Sequence, residues 1–135
     1  MTRVAAIDCG TNSIRLLVAD GHIDENGRPQ LADLTRQMRI VRLGQGVDAR
    51  GYLDPAAIER TVEATVEYQR MIEALGATRT RFVATSATRD ASNSADFVRQ
   101  IKAVIGVEPE VVVGTEEASL SFNGAVSGLG ESVTA

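Results

Sequence analysis

The sequence has few of the residues on which disulfide frameworks, zinc clusters and membrane spans depend. Cys9 is the only cysteine and His22 the only histidine, so the chain can build neither a disulfide framework nor a Cys/His zinc cluster. No apolar run approaches the ~20 residues that a helix needs to cross a bilayer. The first residues also lack the basic-then-apolar form of a signal peptide. Together these absences predict a cytoplasmic protein.

Aromatic residues and lysine are also scarce. Aromatic residues make up 4% of the chain, so the core must consist of Val, Ile, Leu and Ala. Lys102 is the only lysine among 14 basic residues. The excess of arginine fits either a GC-rich coding sequence or phosphate binding, for which Arg is the better bidentate ligand. The net charge of −4 argues against a nucleic-acid surface or an anionic membrane as partner. At 135 residues and 44% apolar content, the chain fits one ordinary domain.

The most informative stretch, residues 3–20, consists of two short β-branched runs around a polar loop. The runs are Val4–Ile7 and Ile14–Val18, and the loop between them is Asp8–Ser13. Apolar runs this short, bounded by Gly and Asn, predict the paired strands of a β-hairpin. An ordinary Asn/Ser/Gly turn would explain the loop equally well by itself.

The same loop also contains the groups that phosphate binding requires. Gly10 permits a turn that a Cβ would obstruct, so backbone N–H groups are expected to face an anion. Thr11 and Ser13 add hydroxyls, and Asn12 adds an amide. Asp8 places a carboxylate at the end of the first strand, where a hydrated Mg²⁺ would bridge to phosphate oxygens.

Beyond the hairpin, periodicity and capping residues predict three more strands and three helices. The strands are expected at 31–43, 81–86 and 110–113, and the helices at 55–75, 95–105 and from Thr115 onward. Asp54 and Pro55 supply the N-cap and first position of the first helix, and Gly76 ends it; Asn93 or Ser94 is expected to cap the second. Residues 127–135 carry no helix or strand signal, so residues 1–126 are predicted to form the domain and 127–135 a tail.

The order βββαβαβα predicts an α/β fold with a mixed five-stranded sheet. The first, fourth and fifth strands should be parallel through right-handed crossovers, with the second and third forming an antiparallel wing. Polar clusters follow each of the three parallel strands, at 8–13, 85–90 and 114–117. Because ligands of open α/β sheets bind outside the carboxyl ends of parallel strands, the three clusters together predict a phosphate site.

Four motifs in order carry a family resemblance: AIDCGTNSIRLLVAD, VRLGQGVD, FVATSATRDASNSADF and EVVVGTEEASLSFNGA. Over residues 3–125 they resemble the N-terminal segment of the exopolyphosphatase/guanosine pentaphosphate phosphatase family. The resemblance implies a ribonuclease-H-like lobe of the actin-like ATPase superfamily. It also implies hydrolysis, with Mg²⁺, of the terminal phosphate of inorganic polyphosphate or the 5′-γ-phosphate of guanosine pentaphosphate.

The resemblance further implies a role for each matching residue. Glu117 would act as general base on the attacking water, a role that suits a carboxylate kept ionised in the first turn of a helix. Arg89 would clamp phosphate oxygens, and Ser86 would add a hydroxyl. Asp8 would hold the metal through water, while Gly10–Ser13 would wrap the transferred phosphoryl group.

Two of these residues also have an alternative, purely structural explanation. Glu117 would be a charge at a helix terminus, and Arg89 would be a surface residue that pairs with Asp90. Arg42, within the VRLG motif, fits a phosphate contact and a solubilising strand edge equally well. Cys9 is expected to be a small buried thiol and not a nucleophile.

Family members continue into a second glycine-rich loop, of the Asp-x-Gly-Gly-Gly-Ser type, and a second lobe. The sequence contains neither, so we expect a truncated form, a fragment or one part of a split gene product. A lobe without its partner is expected to be weakly active or inactive, because phosphoryl transfer depends on positioning and electrostatic clamping. We also expect such a lobe to expose apolar surface, which would favour either self-association into a homo-oligomer or marginal stability.

Two other functions stay open from the sequence. The chain could be a non-catalytic regulatory module that binds a phosphorylated ligand or nucleotide. A sugar or acetate kinase lobe shares the first loop but does not account for TSATRD or GTEEA. The choice between polyphosphate and guanosine pentaphosphate is not determined by the sequence.

Overall fold

The computed structural model describes residues 2–84, residue 88 and residues 91–111. In this part of the chain there are five strands and three helices. In chain order they are β1 (Thr2–Cys9), β2 (Ser13–Ile23), β3 (Pro29–Ile40), α1 (Val47–Arg50), α2 (Pro55–Leu75), β4 (Arg79–Ala84), α3 (Ser94–Ile105) and β5 (Glu110–Val111).

The strands form one mixed sheet in the order β3-β2-β1-β4-β5. β2 is antiparallel to both β1 and β3, whereas β4 is parallel to both β1 and β5. The predicted α/β class, the parallel trio and the antiparallel wing are therefore confirmed. This is the ribonuclease-H-like arrangement that the family resemblance implied. Within the described residues, the element order differs from the predicted one only by the one-turn helix α1, which is too short to show helical periodicity in the sequence.

The β2–β3 hairpin is longer than predicted. A polar turn was expected from 20 to 30, but the turn occupies only 24–28. Asp24 Oδ1 accepts hydrogen bonds from the backbone N–H groups of Asn26 and Arg28, both at 2.9 Å, which closes the turn tightly. Because ladder hydrogen bonds use only the backbone, the strands continue through polar residues whose side chains are exposed.

β3 ends at Ile40, earlier than the predicted end at Leu43. Arg42 has a φ of 52°, in the left-handed region, which costs a non-glycine residue about 1–2 kcal/mol. This residue turns the chain out of the sheet, and both Val41 and Leu43 are buried. An arginine in the left-handed conformation is not visible in a pattern of apolar residues, so the predicted strand was too long at this end.

The capping residues of the long helices behave differently from one another. Asp54 Oδ1 accepts a hydrogen bond from the N–H of Ala56 at 3.1 Å, and Gly76 ends α2 in the left-handed conformation, as predicted. Asn93 occupies the N-cap position of α3, but its side chain makes no capping bond. It instead bonds both backbone groups of Leu53, at 2.8 and 2.9 Å, and so ties α3 to the segment before α2.

The two long helices and one face of the sheet enclose the main hydrophobic core. Its largest fully buried members are Ile7, Ile14, Leu16, Leu43, Leu53, Phe82, Phe97 and Ile101. The opposite face of the central strands is buried as well, at Val4, Ala6, Leu17, Ala19 and Val83. Burial on both faces is typical of the central strands of an α/β sheet.

None of the helices in the described ranges is both long and apolar enough to cross a membrane. The predicted third helix, the last two residues of the predicted fifth strand, and the division at residue 126 lie outside the described residues.

Candidate functional site

The polar loop between β1 and β2 is a tight hairpin turn, as predicted. The N–H of Gly10 donates a hydrogen bond to the carbonyl of Ser13 at 2.8 Å. Thr11 and Asn12 are exposed and Ser13 is half-buried. Among the described residues, no other group hydrogen-bonds to the side chains of these three, so two hydroxyls and an amide are available to a ligand.

The reason predicted for Gly10 was wrong. This glycine is not in the left-handed region, so the turn does not depend on its conformational freedom. A Cβ at Gly10 would lie 3.3 Å from the carbonyl oxygen of Ser13, a tight contact and not a prohibitive one. Its N–H is also used inside the turn and does not face a ligand.

The segment after β3 braces the loop. The carbonyl of Asn12 accepts hydrogen bonds from the N–H groups of both Val41 and Arg42, each at 2.9 Å, and the carbonyl of Thr11 accepts one from Gly44 at 2.8 Å. A Cβ at Gly44 would lie only 2.1 Å from Thr11 Cγ2. The VRLG motif therefore fixes the backbone of the loop from behind, a role that the sequence analysis did not assign to it.

Asp8, at the end of β1, is a buried carboxylate with an unsatisfied oxygen. The residue is 8% exposed, and its Oδ1 is buried without a hydrogen-bond partner in the part of the chain that the structure describes. Burial raises the pKa of the Asp8 carboxyl above its ordinary value, and the charge of Arg15 opposes this rise. Arg15 is the residue opposite Asp8 in the antiparallel β1–β2 ladder.

The Asp8 carboxylate has the chemistry of a magnesium ligand. Mg²⁺ prefers oxygen donors, keeps several of its waters and is commonly held by one or two carboxylates together with substrate phosphates. The free Oδ1 of Asp8 fits that role. Within the described ranges, no group of three or more His, Cys, Asp or Glu residues could hold a metal.

Cys9, next to Asp8, is fully buried in the main core. Burial raises the pKa of its thiol, with a smaller contribution from the Asp8 charge. A thiol that stays protonated is a poor nucleophile. The prediction of a small buried thiol at this position is confirmed.

A pocket of about 400 Å³ adjoins the loop and is lined by Ile40, Arg42, Gln45 and Arg60. The Nε of Arg60, on α2, donates to the carbonyl of Val41 at 3.0 Å. Arg15, Gly44, Gln45 and Arg60 were not predicted as site residues. Only Arg15 could have been found, by counting the ladder back from the turn, because the other three depend on tertiary contacts.

The remaining predicted site residues, Glu117, Arg89 and Ser86, lie outside the described residues. What the structure does show is the convergence of the strands that precede them. Cys9 at the end of β1 is beside Ala84 at the end of β4, and Ala84 is in turn beside the last residue of β5. The three parallel strands thus end at one edge of the sheet, as predicted.

The sequence of the chain matches the profile of the Ppx/GppA phosphatase family over residues 21–135. The chain belongs to this family. Exopolyphosphatase 2 of Mycobacterium tuberculosis is 51% identical over 135 residues, in an alignment that covers 96% of this chain and 42% of the relative. The predicted resemblance is therefore confirmed.

Solved structures of Ppx/GppA proteins have the same fold. An exopolyphosphatase-like protein superposes with a TM-score of 0.77 at 44% identity, covering 88% of this chain and 35% of the other. The Ppx/GppA family member of Aquifex aeolicus superposes with a TM-score of 0.75 at 34% identity, covering 86% of this chain and 36% of its own. The chain thus spans between 35% and 42% of the length of these relatives, which agrees with a resemblance restricted to the N-terminal lobe.

Proposed function

We propose that this chain is the phosphate-binding part of a hydrolase that removes the terminal phosphate of inorganic polyphosphate. The observation that carries the proposal is the buried carboxylate oxygen of Asp8, which has no hydrogen-bond partner among the described residues, beside the braced loop Gly10–Ser13. Similarity to an exopolyphosphatase favours polyphosphate as substrate. Guanosine pentaphosphate is the second candidate substrate, because the family includes both activities.

The loop suits a reaction that depends on positioning. Phosphoryl transfer is catalysed mainly by holding the group in line and stabilising its charge. The hydroxyls of Thr11 and Ser13 and the amide of Asn12 would donate hydrogen bonds to the oxygens of the terminal phosphoryl group. Because the backbone of the loop is already fixed by Val41–Gly44, little ordering remains to be done when phosphate binds.

Asp8 and Arg15 would set the charge of the site. A metal ligand must be ionised, and the positive charge of Arg15 favours ionised Asp8 against the effect of burial. Bound Mg²⁺ would offset the negative charge of the phosphate oxygens.

The hydrolytic step is proposed for the residues that match the family motifs. Glu117 would accept a proton from water as the water oxygen forms its bond to the terminal phosphorus and the bridging P–O bond breaks. Arg89 would stabilise the charge on the phosphoryl oxygens, and Ser86 would donate a further hydrogen bond. A carboxylate is suited to the first role and a guanidinium to the second, whichever of the two substrates is bound.

The proposal is tested by orthophosphate release with Mg²⁺ from polyphosphate and, separately, from guanosine pentaphosphate. The complete gene product that contains this chain is compared with the 135-residue chain alone. We expect release from polyphosphate by the complete product and little or none by the chain alone. If the complete product releases phosphate from neither substrate, the proposal is refuted.

A non-catalytic phosphate-binding module is the alternative function, because the exposed groups of the loop Gly10–Ser13 would bind phosphate with or without hydrolysis. Such a module would bind tripolyphosphate in calorimetry without releasing orthophosphate.

The cytoplasmic location stays a prediction. Self-association is supported by exposed Leu34, Met38 and Ile40 on the edge strand β3, and light scattering would measure it.

A further inference from the structure

The pocket beside the loop has the composition of an anion-binding site. Its two arginines, Arg42 and Arg60, have no carboxylate partner among the described residues, and the amide of Gln45 lies on the same wall. By contrast, five other arginines in the described ranges form ion pairs with an Asp or Glu, as Arg3 does with Asp20. Two unpaired guanidinium groups around one cavity therefore leave positive charge available to a ligand.

Arg60 is held in place for such a role. Its Nε donates to the carbonyl of Val41 at 3.0 Å, and the side chain belongs to a half-buried residue of α2. This bond fixes the plane of the guanidinium and leaves both Nη groups without a partner in the described part of the chain. A pre-positioned guanidinium loses less freedom when it binds a phosphate oxygen.

Arg42 connects the pocket to the phosphate loop. Its backbone N–H donates to the carbonyl of Asn12, while its side chain lines the pocket. The left-handed φ of 52° is uncommon for a residue with a side chain, and such conformations are concentrated at functional sites. The pocket is therefore connected to the loop through Arg42, whose backbone holds the loop while its side chain lines the pocket.

We propose that the Arg42–Arg60 pocket binds internal phosphates of a linear polyphosphate whose terminal phosphate is held by the loop Gly10–Ser13. This inference rests on the proposed function and adds a subsite to it. A linear polyphosphate carries negative charge on every repeating unit, so a cationic pocket beside the loop strengthens binding of the chain and not of a single phosphate. The pocket is accordingly a determinant of specificity for chains over orthophosphate.

The test uses Arg42→Gln and Arg60→Gln, each in the complete gene product, with Arg28→Gln as the matched control. Arg28 carries the same charge at the other end of the β2–β3 hairpin, roughly 35 Å away at about 3.3 Å per residue along the 11 residues of β2. Two constants are measured: KM for long-chain polyphosphate, and the inhibition constant of orthophosphate, which occupies the loop alone.

We expect each pocket variant to raise KM for polyphosphate roughly tenfold or more, as for loss of a charge-assisted hydrogen bond. The inhibition constant of orthophosphate should not change, and Arg28→Gln should change neither constant. An unchanged KM in both pocket variants would refute the subsite. A parallel rise in the orthophosphate inhibition constant would also refute it, because the arginines would then act only by supporting the loop.

Calorimetry with tripolyphosphate separates this inference from the proposed function. If the wild-type product binds tripolyphosphate but hydrolyses no polyphosphate, the proposed function fails while weaker binding by Arg42→Gln still supports the pocket. Arg60→Gln removes a bond to Val41 and could loosen the fold, so Arg42→Gln, whose side chain bonds to no other described residue, carries the result. Equal binding by wild type and Arg42→Gln would contradict the pocket.

Discussion

The contact between Gly44 and Thr11 gives a sharp test of how the phosphate loop is held. A Cβ at Gly44 would lie 2.1 Å from Thr11 Cγ2, while the next nearest atoms, Thr11 Cβ and O, would both be 3.4 Å away. The Cγ2 methyl group of Thr11 is therefore the one group that would clash with an alanine at position 44. Gly44 is not in the left-handed region, so its backbone would accept alanine without strain.

The magnitude follows from this geometry. To reach an ordinary contact of about 3.4–4 Å, the methyl group must move by more than 1 Å, although the N–H of Gly44 holds the carbonyl of Thr11 at 2.8 Å. Overpacking of this kind costs roughly 1–3 kcal/mol. Thr11→Ser removes Cγ2 and leaves only the two contacts at 3.4 Å. In the double variant we expect Gly44→Ala to cost less than about 0.5 kcal/mol.

Urea unfolding followed by circular dichroism measures the four free energies of this cycle. The structure predicts a coupling between the two sites of about 1 kcal/mol or more, with Thr11→Ser by itself close to wild type because Thr11 is exposed. The same double variant should recover any tripolyphosphate binding that Gly44→Ala loses. If Gly44→Ala is as stable as wild type, or if Thr11→Ser does not rescue it, the close packing of Gly44 against Thr11 does not hold this part of the loop.

Three further predictions concern the buried groups around the loop. Because burial raises the pKa of Asp8, stability without metal should fall as pH rises from the ordinary carboxyl pKa through the higher folded value. Asp8→Asn should remove that loss, raising the Tm at pH 7 while lowering phosphate release; a lower Tm would contradict this. The hydroxyl of Tyr68 donates to the carbonyl of Ile14 at 2.9 Å in the core, so Tyr68→Phe should lower the free energy of unfolding in urea by about 1–2 kcal/mol. Tyr52→Phe is the exposed control, and equal stability of the two variants would contradict this prediction. Cys9 should react with a thiol reagent only after unfolding, and rapid labelling of the native chain would show that it is not buried.

The parts of the fold that the sequence predicted are those with local causes. The hairpin around Asp8–Ser13 is marked by β-branched runs and turn residues, and α2 by Asp54, Pro55 and Gly76. The parallel trio and the antiparallel wing follow from the same elements, since right-handed crossovers allow few arrangements. The ends of β2 and β3 were less predictable because backbone pairing continues through polar residues at the sheet edge.

The parts of the site that the sequence missed depend on contacts between distant residues. Nothing local indicates that the carbonyl of Asn12 binds two N–H groups of the segment after β3, or that Arg60 reaches Val41 across 19 residues. Gly10 was predicted to be essential because a Cβ was expected to obstruct the turn, whereas a Cβ at Gly44 would make the closer contact, 2.1 Å from Thr11 Cγ2. Side-chain packing, which a pattern of single residues does not encode, decides between them.

The most direct test of the central claim is the rate of orthophosphate release from polyphosphate by the complete gene product with and without Glu117→Gln. The substitution keeps the size of the side chain and removes the carboxylate that would accept a proton from water. We expect the wild-type product to release phosphate and the variant to lose release by roughly a hundredfold or more, while its binding of tripolyphosphate is kept. A Glu117→Gln product that releases phosphate at the wild-type rate would contradict the assignment of the base.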